Sequence, residues 1–144
     1  MSFKIFSKIK KFNKLVNNHL TDISIENLKI NDEEYEQVEG RSVVVKKLKA
    51  LPIESIVRNY LIGSGYSDYL SNGSICGINL PSNLKMASKL PELLFTPSSK
   101  AEIGNHDINI SFEKMSKLIG QDISEKIKKI SCEIFERASD YLKT

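Results

Sequence analysis

The chain has 144 residues, 40% of them hydrophobic and 27% charged, with a formal net charge of +3. This is ordinary globular composition in a length sufficient for one compact domain with a core, so disorder is not the expectation. The basic excess is concentrated in Lys4, Lys8, Lys10, Lys11 and Lys14; without broader basic coverage or a recognition motif it does not make a nucleic-acid surface, and no apolar run approaches the roughly 20 residues that span a bilayer.

Residues 2–18 have the spacing of a helix, with Ile5, Ile9, Phe12 and Val16 on one stripe, widened by Phe6 and Leu15, and the lysines opposite. Such a helix fits a membrane-surface or targeting segment, or more simply a helix docked on a sheet with a solvated lysine face. A short strand is expected around Ile23 to Ile30. The acidic run Asn31 to Gly40 then reads as a surface loop, without the Gly and Asn positions of a calcium loop. Arg41 to Lys49, with Val43, Val44 and Val45, reads as a strand.

The period-2 alternation of Ile53, Ser55 and Val57 with Glu54, Ile56 and Arg58 predicts a half-buried strand, and Gly63-Ser64-Gly65 permits a sharp change of direction after it. Arg58 offers a planar fork of donors, and Ser64 stands where backbone N–H groups at a helix start would be free, so the pair suits a phosphate or carboxylate. Taken alone, the arginine is better explained as a surface ion-pair partner. A short helix over Tyr66 to Leu70 ends at Asn72-Gly73, a turn rather than a glycosylation site. Residues 75–98 read as irregular, interrupted by Pro81, Pro91 and Pro97 and anchored by Leu93, Leu94 and Phe95.

Lys100, Glu102, His106 and Asp107 are the densest polar cluster. A lysine can neutralise a carboxylate and an aspartate can accept from an amine, and the histidine can do either, though a structural role capping the loop is favoured for it. Ser111 caps a helix to Ile119 that Gly120 stops, and Asp122 with Glu125 suggests a capping box for a last helix with the stripe Ile127, Ile130, Ile134, Ala138 and Tyr141. Cys76, Cys132, His19 and His106 lack metal-ligand spacing, so no metal site is expected. The cysteines read as free thiols acting as small core residues in a reducing cytoplasm.

Two of these stretches carry a resemblance. The run Pro52-Ile-Glu54-Ser-Ile-Val-Arg58 with Gly63-Ser64 resembles the first signature of the phosphoribosylaminoimidazole-succinocarboxamide synthases, or SAICAR synthetases. Phe95-Thr-Pro-Ser-Ser-Lys100-Ala-Glu102-Ile-Gly-Asn-His106-Asp107-Ile-Asn109-Ile110-Ser111 is similar to that family's substrate loop in its longer, eukaryote-like form. Ile62 departs from the Thr or Ala usual before Gly-Ser.

The resemblance implies an α+β, SAICAR synthase-like two-lobed ATP-binding fold, incomplete here, with an antiparallel sheet and flanking helices. Residues 1–49 would be the C-terminal part of the small ATP-binding lobe and residues 50–144 the first part of the large substrate-binding lobe, one incomplete domain in all. The implied activity is that of an amide-forming, ATP-dependent carbon-nitrogen ligase of purine biosynthesis, joining L-aspartate to carboxyaminoimidazole ribotide. Arg58, Gly63 and Ser64 would hold the ribotide 5′-phosphate; Lys100 and Asp107, with lesser weight on His106, would be catalytic; and Lys49-Ala50-Leu51 would lie against the adenine of ATP. The family's glycine-containing hairpin over the ATP phosphates would precede Met1. The Asp-x-Lys-x-Glu-Phe-Gly segment, which supplies ligands for Mg2+, would follow Thr144. The isolated chain, placed in the cytoplasm, is therefore expected to be inactive, with a complementary chain supplying the missing segments or self-association through unpaired strand edges as its protein contacts. The alternatives are an inactive ribotide- or nucleotide-binding module and a structural remnant with neither activity.

Overall fold

The structure, a computed structural model, describes residues 15–101 and 106–143 and divides into two units, residues 1–50 and residues 51–144. The expected N-terminal helix falls outside the described residues as far as residue 14, and residues 15–18 are turn and irregular chain.

In the first unit the acidic run is a helix, not a loop. The Asn31 side chain accepts from the Glu34 N–H at 2.9 Å and the Glu34 carboxylate accepts from the Asn31 N–H at 3.0 Å. This reciprocal capping box starts α1, Asp32–Val38, and places Asp32, Glu33 and Glu34 where the helix dipole favours negative charge. The expected strand at Ile23 to Ile30 is instead a 3-10 turn, Ile25–Asn27, in irregular chain. The expected strand over Arg41 to Lys49 reduces to one antiparallel bridge, Leu20 to Val45, held by Thr21 N–H to Val44 O at 3.2 Å and Lys46 N–H to His19 O at 2.8 Å. Valines favour a pleated surface only where neighbouring strands supply one. None of residues 15–50 is buried.

In the second unit the strand expected through Ile53 to Arg58 breaks at Ser55-Ile56 into β1, Ile53–Glu54, and β2, Val57–Tyr60. The halves join different sheets. β1 lies in an antiparallel sheet of order β1-β6-β7, with β6 Ser98–Ser99 and β7 Ile108–Asn109, and β2 pairs antiparallel with β5, Lys89–Phe95. β5 runs through a stretch expected to be irregular and contains Pro91. Its pairing jumps from Arg58 opposite Leu94 to Tyr60 opposite Lys89, and Pro91 sits inside that jump, where a missing N–H breaks no regular ladder. β3, Ser74–Ile75, and β4, Ile78–Asn79, form a hairpin. Its two turn residues, Cys76 and Gly77, have φ of 52° and 83°, the left-handed pair that a tight hairpin turn needs.

Helix α2, Gly63–Asn72, starts three residues earlier than expected and stops at left-handed Gly73. Helix α3, Phe112–Ile119, is capped by the Ser111 side chain, which accepts from the Lys114 N–H at 3.2 Å, and ends at Gly120 as expected. The last helix, α4, covers Gln121–Lys143, but Asp122 lies within its first turn and does not cap it. Instead the Gly120 carbonyl accepts both the N–H and the hydroxyl of Ser124, at 3.1 and 2.8 Å, and Glu125 accepts from the Gln121 side chain at 2.7 Å. Of the expected stripe, Ile127, Ile130, Ile134 and Ala138 are half-buried and Tyr141 is exposed.

Leu61, Tyr69, Ile75, Leu90 and Leu94 form one buried cluster; Phe95, Ile110 and Met115 form another, which Ile127 of α4 covers. Leu94 and Phe95 thus anchor β5 in both, and Phe95 meets Phe112 edge to face at 6.4 Å. Both cysteines are free thiols packed, half-buried, against these clusters. Leu61 is wholly buried, so Leu61→Ala is expected to lower unfolding free energy by about 2–5 kcal/mol in urea titration. Leu142→Ala, at a side chain 80% exposed, should leave the midpoint unchanged.

Candidate functional site

Arg58 stands on β2, and its side chain reaches the start of α2. Its Nε donates to Thr96 Oγ1 at 3.1 Å, one terminal nitrogen donates to the Ile62 carbonyl at 3.2 Å, and the other donates to Ser64 Oγ at 2.9 Å. Thr96 is fully buried, and its hydroxyl also reaches the Ile56 carbonyl at 3.4 Å. The arginine therefore ties β2, the end of β5 and the first turn of α2 together.

Two glycines make room for it. Gly63 turns the chain into the helix with φ of 58°, a conformation costly for any residue with a Cβ. A Cβ on Gly65 would lie 3.1 Å from Arg58 Nε, 3.2 Å from its Cδ and 3.2 Å from Ile75 Cδ1. A guanidinium carries five N–H groups, and Arg58 uses three. The remaining two, the Ser64 hydroxyl and the N–H groups of the first helical turn form a cradle of hydrogen-bond donors at the start of α2.

The cradle extends through three side chains that sequence reasoning did not select. Ser64 Oγ donates to Asn109 Oδ1 at 3.5 Å, and Asn109 Nδ2 donates to Asp68 Oδ2 at 2.8 Å. With Thr96, these residues come together across 38 to 45 positions of chain, so no local spacing reveals them. The one sequence signal is that Thr96 and Asn109 both lie in the second recognisable block.

Lys100, His106 and Asp107 flank a loop that leaves β6 and returns to β7, all three with exposed side chains. Asp107 Oδ1 accepts the Ala101 N–H at 2.7 Å and so clamps the base of the loop, while the Lys100 N–H donates to the Pro52 carbonyl at 3.1 Å. Glu102 lies outside the described residues. Arg58, Gly63 and Ser64 are thus brought together, and Asn109 on β7 connects them to the strand that ends the loop. No hydrogen bond among the described residues joins Lys100, His106 or Asp107 to the arginine. Lys49, Ala50 and Leu51 are exposed, lie outside any strand and straddle the boundary of the two units. Among the described residues no three His, Cys, Asp or Glu side chains stand together as a metal site, and no helix is long and apolar enough to cross a membrane.

Cys76 lies beside this network. Burial, aided by the Asp68 charge, pushes its thiol up to about 11, with Arg58 and a hydrogen bond at the Ile110 backbone opposing. Its Sγ is 3.5 Å from the Pro97 carbonyl.

The family model for SAICAR synthetase matches residues 1–144. Phosphoribosylaminoimidazole-succinocarboxamide synthase of Methylococcus capsulatus is 48% identical over 126 residues, covering 88% of this chain and 42% of the relative. The enzyme of the same name from Cupriavidus metallidurans is 47% identical over 135 residues, covering 94% and 44%. A solved SAICAR-synthase from Saccharomyces cerevisiae, complexed with SAICAR, superposes with a TM-score of 0.79 at 34% identity, covering 94% of this chain and 46% of that one. The chain therefore spans less than half the length of these relatives, and its α+β fold is that of the solved synthase over the shared part.

Two outcomes test this geometry. Gly65→Ala is expected to dislodge the guanidinium, seen by NMR as a shifted and faster-exchanging Arg58 Nε–H; an unaltered resonance would mean that the close approach is not needed. The Cys76 thiol, raised from 9.0 to about 11 in the folded chain, binds its proton more tightly than in the unfolded chain. Its contribution to stability is complete below about pH 9 and lost as pH rises through about 11. Cys76→Ser should flatten the stability profile in that window, measured by thermal melts from pH 8 to 11.

Proposed function

Since the chain belongs to the SAICAR synthetase family, we propose that it carries the ribotide-phosphate cradle and the substrate loop of an ATP-dependent, amide-forming ligase. That enzyme joins L-aspartate to carboxyaminoimidazole ribotide in the cytoplasm. The observation that supports this reading is the Arg58 fork, fixed by Thr96, Ile62 and Ser64 with two N–H groups still to give. A phosphate monoester has the charge and acceptor geometry for that fork, for the Ser64 hydroxyl and for the helix start that Gly63 turns into place.

The loop supplies the other end of the site. Lys100 is assigned to neutralise a substrate carboxylate. Asp107, with one oxygen holding the Ala101 N–H, has a second with which to orient the aspartate amine, and His106 stands next to it as a proton carrier. ATP, when bound, activates the ribotide carboxylate towards that amine, and we assign the surroundings of its adenine to Lys49, Ala50 and Leu51. In this assignment residues 1–49 belong to the ATP-binding lobe and residues 50–144 to the substrate lobe.

The described residues do not fit a Mg2+ ion, because no three suitable side chains stand together among them. We place its ligands in the part of the relatives' length that this chain does not span. Turnover accordingly needs the remaining family segments, in the same polypeptide or on a complementary chain.

With the remaining segments supplied, Arg58→Ala is expected to weaken ribotide binding by about 1.5–3 kcal/mol while ATP binding holds. Equal weakening of both ligands in calorimetry would contradict the assignment. Lys100→Ala should sharply reduce kcat with the melting temperature unchanged; a parallel loss of both would make the lysine structural.

A further inference from the structure

We infer that Asp68 is a positioning residue of the anion cradle, acting on Ser64 and Arg58 through Asn109; the inference rests on the phosphate reading of that cradle. Ser64 and Asp68 are four positions apart on α2 and so share one face of the helix. Asn109 reaches between them from β7, its Nδ2 2.8 Å from Asp68 Oδ2 and its Oδ1 3.5 Å from Ser64 Oγ.

The direction of every bond in this chain of four side chains follows from its end. A carboxylate only accepts, so Asn109 must turn its amide nitrogen to Asp68 and its oxygen to Ser64. The Ser64 proton then points at Asn109, and a lone pair of Oγ is left for the Arg58 N–H at 2.9 Å. Without Asp68 the amide is free to rotate and donate to Ser64, competing with Arg58 for the same oxygen. The two distances differ in a useful sense. Asn109 is held tightly by Asp68 and loosely by Ser64, so a phosphate oxygen can take the Ser64 proton while Asn109 and Arg58 stay in place.

Electrostatics alone points the other way, because a carboxylate two side chains from an anion repels it. Removing the charge should by itself tighten binding, so the sign of the effect separates the two explanations.

The test uses the 144-residue chain, calorimetry and ribose 5-phosphate as probe, with Arg58→Ala, Asp68→Ala, Asp68→Asn, Asn109→Ala and the Asp68→Ala/Asn109→Ala pair. Arg58→Ala should lose about tenfold or more in affinity, as expected for a charge-assisted contact. Asp68→Ala and Asn109→Ala should each lose about fivefold, and the double variant no more than either single one, because the two act as one unit. Asp68→Asn, whose amide can accept from Asn109 or, turned over, donate to it, keeps a partner for Asn109 without fixing its direction and should lose less affinity than Asp68→Ala. If Asp68→Ala does not fold, Asp68→Asn against Asn109→Ala carries the same comparison. Asp68→Ala binding as tightly as the unsubstituted chain or more so, or equal losses in Asp68→Ala and Asp68→Asn, would overturn the inference while leaving the cradle standing. No saturable binding by the unsubstituted chain, or no effect of Arg58→Ala, would remove the cradle and this inference with it.

Discussion

A half-buried guanidinium has to find partners for its N–H groups, and the way Arg58 does so organises the second unit. Its partners are a buried threonine, a backbone carbonyl and a serine hydroxyl, from three segments. Each imposes a condition on the sequence. Thr96 must follow β5 directly, where its N–H also pairs with the Ile56 carbonyl at 2.8 Å. The chain must turn at Gly63 to aim the Ile62 carbonyl and Ser64 back at the arginine, and residue 65 must have no Cβ. Exchanging Thr96 removes the partner of the Arg58 Nε–H, and a Cβ at position 65 crowds that same nitrogen.

The same constraint gives the site its chemistry. A fork anchored on three sides has little freedom left to lose. Below it, Leu61, Ile75, Leu90 and Leu94 are buried, so the cradle rests on packed core. The loop between β6 and β7 is different in kind: its base is clamped by Asp107 and by a short pairing of Ser98 with Asn109, while Lys100 and His106 remain exposed. The anchored arginine and this segment thus differ in how they are held among the described residues. The first unit contrasts with both, having no buried residue among those described.

Much of this was legible in the sequence where the signal was local. Arg58, Gly63 and Ser64 lie within seven consecutive positions, and the two family blocks, the Ser111 cap and the Gly120 stop could be read directly. The acidic run was misread because its charge outweighed the Asn31 and Glu34 spacing that in fact caps a helix. Val43 to Val45 carried β-propensity without the neighbours that would turn it into a ladder. Pro91 argued against a strand that accommodates it at a shift in register. Thr96, Asp68 and Asn109 were out of reach for a different reason: their roles exist only once β2, β5, β7 and α2 have been assembled, and neither periodicity nor propensity encodes a contact across 41 positions such as Asp68 with Asn109.

The most direct measurement is a crystal structure of the chain with carboxyaminoimidazole ribotide. The account predicts the 5′-phosphate at the start of α2, within hydrogen-bond distance of the two remaining Arg58 N–H groups and the Ser64 hydroxyl, with Thr96 and Ile62 still holding the guanidinium. A phosphate bound elsewhere, with Arg58 keeping only its contacts to Thr96, Ile62 and Ser64, would make the arginine a strut of the fold and contradict its assignment to the ligand.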